Sequence, residues 1–176
     1  MKRLFPALLA GILLLILQTT WLSSFPVQRM RPDLLLIFTL YLAFLFPPTL
    51  GGILAFFMGY FLDLFSGNTF GFYAFSRTLV FFVAQFLKER FYLEGFSFQC
   101  LFAIIFSILE GGLTLLLINA LQSIPVGNLY SSLFTVLLPQ SFLTGLASPL
   151  LFFLLQKAGS ALFHQPEQGI NAKDRS

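Results

Sequence analysis

Arg31, Asp33, Asp63, Arg77 and Glu110 stand within or at the edge of apolar runs, and any chemistry would have to be built from them. An isolated charge in mid-membrane costs at least about 2.5–3.5 kcal/mol, so such residues pair with each other or mark function. Two carboxylates close together are the raw material of a proton relay, but an arginine beside them favours ion pairing instead. The remaining reactive side chains are isolated in sequence. Cys100 lies in an apolar run, and the single histidine, His164, opens a polar tail. One cysteine and one histidine are too few for a Cys/His zinc site. No His-Glu-x-x-His, Gly-x-Ser-x-Gly or lysine-bearing phosphate loop occurs. We therefore expect no enzyme, no metal and no cofactor.

The elements that must hold these residues follow from composition. The chain has 176 residues, is 57% hydrophobic and 10% charged, and has a mean hydropathy of +0.88. A soluble domain carries about 25% charged residues. A chain of this size cannot hide so much apolar surface from water, so its medium is lipid. The net charge of +3 does not point to nucleic acid, because the basic residues sit at segment ends and form no stripe.

Taken in order, Met1-Lys-Arg precedes an apolar run from Leu4 to Thr20, closed by Trp21. Its length, its interfacial Trp and the lack of an Ala-x-Ala site predict an uncleaved first span. A polar connection from Ser23 leads to Arg31-Pro-Asp-Leu-Leu-Leu, where Pro32 suits a helix start. Asp33 then falls where the helix dipole favours an anion, which fits a capping role or a partner contact. The run Leu34 to Phe46 is cut by Pro47-Pro48, and Thr49 to Phe65 follows. Both look short against a hydrocarbon core of about 30 Å, as two short spans or a re-entrant hairpin. Gly51, Gly52, Ala55 and Gly59 form a small-residue stripe that lets helices approach closely. Beyond the turn at Ser66 to Gly71 come runs over Phe70 to Leu87, Phe96 to Leu121 and Leu129 to Leu155, the last carrying Pro139 and Pro149 as expected kinks. The expected organisation is a six-helix membrane domain over 1–164 and a disordered cytoplasmic tail over 165–176.

With six crossings, the side of the termini holds Lys2, Arg3, Lys88, Arg90, Lys157, Lys173 and Arg175, and the other side holds Arg29 and Arg31. The positive-inside rule then makes both termini cytoplasmic. Arg31, Asp33, Asp63 and Arg77 fall in the outer half. Glu110 lies roughly 16 Å below the outer end of its helix, near the midplane. Asp63 and Arg77 belong to consecutive antiparallel segments, so the expected polar centre is Arg77 held between Asp63 and Glu110. It either fixes the fold or serves a partner. In the turn, Gly71 takes positive φ freely and Asn68 tolerates the left-handed region. Asn68 and Thr69 would face an extracytoplasmic partner, or the turn simply closes a helical hairpin.

Arg31-Pro-Asp-Leu-Leu-Leu, the stripe through Gly59, Leu62-Asp-Leu-Phe-Ser-Gly and Phe70-Gly-Phe-Tyr-Ala together resemble the MreD family of rod shape-determining proteins. The likeness spans Leu4 to Leu155 in length and hydropathy, and its specific part is Arg31 to Arg77. It implies a non-catalytic protein of the bacterial inner membrane. Its partners would be an MreC-like single-span protein and, indirectly, MreB filaments, RodA and its penicillin-binding transpeptidase. The implied fold is similar to the six-helix substrate-binding components of energy-coupling-factor transporters. The family-like positions are Arg31, Pro32, Asp33, Asp63, Gly71 and Arg77, whereas Glu110 matches no family motif. Two other readings remain, a vitamin-like small-molecule binder of a transporter and a lipid-handling protein.

Overall fold

Each apolar run folds as helix, because a chain in hydrocarbon must satisfy its backbone N–H and C=O groups internally. A computed structural model describes residues 4–21, 32–66, 71–88, 95–122 and 133–163. Within them lie α1 (Leu4–Ile16), α2 (Leu34–Leu45), α3 (Pro48–Ser66), α4 (Phe72–Leu87), α5 (Phe96–Gln122) and α6 (Leu138–Phe163). A π-helical turn over Leu17–Trp21 extends α1, and a second over Leu133–Leu137 leads into α6 just before Pro139. No strand occurs among the described residues.

The bundle has an apolar exterior, and polar side chains are buried within a mainly apolar core. Phe86 is 80% exposed, and Leu13, Ile53, Phe65, Phe96 and Phe153 are also open. Arg77, Asp63, Ser76, Thr144 and Ser148 are fully or almost fully buried. Water would drive the reverse arrangement, whereas lipid solvates the apolar rim. Buried hydroxyls return to their own helices: Thr39 donates to the Leu35 carbonyl at 2.8 Å and Ser141 to that of Leu137 at 2.7 Å.

Helix α2 is the central element. It packs on α1, α3, α4, α5 and α6, and Leu35 to Leu40, Leu42 and Ala43 are all buried. Its 12 residues rise only about 18 Å, short of a hydrocarbon core of about 30 Å. Pro48 begins α3 instead of breaking it, since the first helical position needs no N–H. This corrects the expectation of a short third segment. Among the described residues, the 19-residue α3 joins α5 and α6 as the three helices long and apolar enough to cross a membrane, while α1, α2 and α4 are shorter.

The closest pairings are α3 with α4 and α5 with α6. Gly59 explains the first. A Cβ there would meet the Tyr73 carbonyl oxygen at 2.5 Å and the Ala74 Cα at 2.6 Å, both backbone atoms that cannot step aside. Between α5 and α6, Ser148 donates to the Gln99 carbonyl at 3.1 Å, and Gly145 lies against Ile104.

Candidate functional site

The polar residues converge at one end of the bundle, where α2 and α4 begin and α3 ends. Asp33 is the N-cap of α2. Its Oδ1 accepts from the Leu36 N–H at 2.9 Å, which settles its capping role. Three other elements hold it. Gln18, in the π turn after α1, donates to Oδ1 at 3.3 Å and accepts from the Leu35 N–H at 3.0 Å. Thr144 of α6 accepts from the Asp33 backbone N–H at 3.0 Å. Arg77 of α4 approaches Oδ2 with Nη2 at 2.5 Å.

Arg77 is fully buried and lies between two carboxylates. Its second partner is Glu110 of α5, with Oε1 2.7 Å from Nε. The contact is an ion pair off the hydrogen-bond direction. Nε, Nη1 and Glu110 Oε1 therefore have no hydrogen-bond partner among the described residues. The centre is Asp33–Arg77–Glu110, which corrects the expected one. Glu110 joins Arg77 as anticipated, but Asp33 takes the place assigned to Asp63.

Asp63 is engaged elsewhere for a physical reason. Helix α4 starts at Gly71, whose φ of 101° suits glycine and which has no side chain to cap the free amides. Asp63, fully buried at the end of α3, supplies the missing acceptor. It accepts from the N–H groups of Gly71, Tyr73 and Ala74 at 3.1, 3.0 and 3.0 Å. The helix dipole adds to this stabilisation. Arg31, Asn68 and Thr69 lie outside the described residues, as do His164 and the tail.

A cavity of about 300 Å³ opens beside the centre. Asp33, Tyr73, Ser107, Glu110, Thr114 and Gln140 form its polar side, while Leu115, Val136 and Leu137 form an apolar wall. Gly111 lets that wall come close, since a Cβ there would overlap the Leu137 side chain. Sequence reasoning did not single out Tyr73, Ser107, Thr114, Gln140, Gln18 or Thr144 as parts of a polar centre. Gln18 carried a signal, a lone amide late in an apolar run. Thr144 carried none, because its role depends on where α6 crosses the start of α2.

The arrangement has one cation between two carboxylates, a third carboxylate bound to amides, and hydroxyls that mostly bond to their own helices. It holds five elements together at one point. No curated protein and no solved structure matches the chain. The model of the rod shape-determining protein MreD family matches residues 1–158. A match over that span, on an all-helical bundle with an apolar exterior and an arginine at its centre, shows that the chain belongs to the MreD family of rod shape-determining membrane proteins.

Proposed function

We propose that the chain is a non-enzymatic scaffold of the wall-elongation machinery in the bacterial inner membrane. It crosses six times with both termini cytoplasmic. It holds an MreC-like single-span protein and, through it, couples MreB filaments, RodA and its penicillin-binding transpeptidase to side-wall synthesis. The observation that carries this reading is the use of the ionisable groups. Asp33, Asp63 and Arg77 bind neighbouring helices, so the charge serves architecture beneath a docking face. The excess of Lys and Arg on the side of the termini supports the orientation.

Depletion in a rod-shaped bacterium tests the role. Cells are expected to round up and to regain their shape with the wild-type chain. Co-purification with an MreC-like protein tests the partner. Arg31→Ala with Asn68→Ala is expected to reduce recovery, and undiminished recovery would remove the outer face from the docking site.

The cavity beside Glu110 favours a second reading, a small-molecule binder like the vitamin-binding component of a transporter. Its volume lies at the small end of the roughly 300–1,000 Å³ of ligand pockets. Equilibrium binding of candidate vitamins to the purified protein discriminates, and saturable micromolar binding would favour this alternative.

A further inference from the structure

The cavity beside Glu110 is unbalanced in charge. Two carboxylates, Asp33 and Glu110, line it, and among the described residues no lysine or arginine does. Asp33 is well served, with Leu36 N–H, Gln18 and Arg77 all donating to it. Glu110 is not. It is 4% exposed, and its Oε1 meets Arg77 without forming a hydrogen bond. A buried carboxylate short of donors is costly, and a ligand that brings a donor relieves that cost.

The lining narrows the chemistry. A positive, donor-bearing group complements Glu110 and Asp33. Among the described residues no three His, Cys, Asp or Glu side chains gather as a metal ion would require. A primary ammonium fits better, since its three donors match the carboxylate of Glu110 and the hydroxyls of Ser107 and Tyr73. Thr114 and Gln140 also line the cavity and would be partners for oxygens next to the amine. Leu115, Val136 and Leu137 face an apolar portion of the same ligand. The volume admits a head group and the first carbons of a chain, not a large cofactor.

We propose that this cavity binds the protonated primary amine of an amphiphile, with Glu110 as its counter-charge. The site does not depend on the scaffold reading, which concerns a protein partner. The ammonium can come from an aminophospholipid head group or from a free long-chain amine, and the test separates the two.

The full chain in nanodiscs or detergent is titrated with short-chain phosphatidylethanolamine, phosphatidylcholine and phosphatidylglycerol, and separately with octylamine. Binding is read by native mass spectrometry and melting temperature. Phosphatidylethanolamine or octylamine is expected to bind at least about tenfold more tightly than phosphatidylcholine, whose trimethylated nitrogen has no N–H to donate. Preference for phosphatidylethanolamine alone identifies a head-group site. Preference for octylamine alone identifies a free-amine site, and competition between the two identifies the shared ammonium. Glu110→Gln is expected to abolish the preference, a loss of about tenfold on the scale of one charge-assisted hydrogen bond. Val136→Phe fills the apolar wall without touching the ion pairs, so it tests the site even where Glu110→Gln fails to fold. Equal binding of all three lipids with no octylamine binding would overturn the proposal. So would a preference that survives both substitutions.

Discussion

At the residue scale, Arg77 decides whether the centre is stable. It is the cation shared by two buried carboxylates, so removing it leaves both uncompensated. Losing one partner of a buried pair costs about 3–5 kcal/mol. Arg77→Met is therefore expected to lower the melting temperature sharply and to reduce the monodisperse yield in detergent. Replacing the whole set, Asp33→Asn with Arg77→Met and Glu110→Gln, removes the stranded charges and is expected to recover part of that loss. A triple variant no better than Arg77→Met alone would show that the charges themselves are not what destabilises. Asp63 has a separate role. Asp63→Ala frees three amides at the start of α4, and a cap loss of about 0.5–2 kcal/mol is expected in a denaturant titration. Asp63→Asn, which keeps one acceptor oxygen, is expected to lose less.

At the element scale, the test is how closely helices approach. Gly59 faces backbone of α4, so Gly59→Ala forces α3 and α4 apart. Overpacking of this kind costs about 1–3 kcal/mol. Gly112 is the internal control on α5, because a Cβ there meets nothing within 4 Å. Gly112→Ala is expected to be neutral or to stabilise by up to about 1 kcal/mol through helix propensity. Unfolding of both variants in mixed micelles checks the contrast, and equal effects would contradict the packing of the α3–α4 pair. The centrality of α2 belongs to this scale too. A helix of 12 residues with neighbours on every side has no lipid-facing stripe, so it shows no amphipathic period.

At the scale of the whole molecule, the charge asymmetry between the two sides gives a topology that can be measured. With both termini cytoplasmic, a green fluorescent protein fused after Ser176 is expected to fluoresce and an alkaline phosphatase at the same point to stay inactive. Active phosphatase there would put the C-terminus outside and overturn the proposed orientation. The bundle also brings Asp33, Asp63 and Arg77 to the place where α2 and α4 begin. With that end outward, as proposed, Asp33 and Asp63 lie toward the outer leaflet, and Glu110, in the middle of α5, lies deeper along the cavity.

Much of this was legible from residue order alone. Hydropathy places the helices, because each apolar run has one way to satisfy its backbone in lipid. Pro47-Pro48 marks the boundary of α2 and α3, and Gly71 marks the start of α4, because proline lacks a donor and glycine tolerates positive φ. The MreD resemblance rests on Arg31 to Arg77, and the family match confirms it. The sequence also showed that Arg77 needs carboxylates, since a lone guanidinium in lipid is too costly. Which carboxylates it meets was decided only by the tertiary structure. Asp63 is nearer in the chain, yet the orphan amides of α4 claim it, while Asp33, 44 positions away, is brought to Arg77 by the burial of α2. Glu110, Gln18 and Thr144 meet Asp33 or Arg77 for the same reason. Sequence spacing governs contacts along one helix, but where separate helices cross depends on packing of their whole surfaces, and no local pattern encodes that.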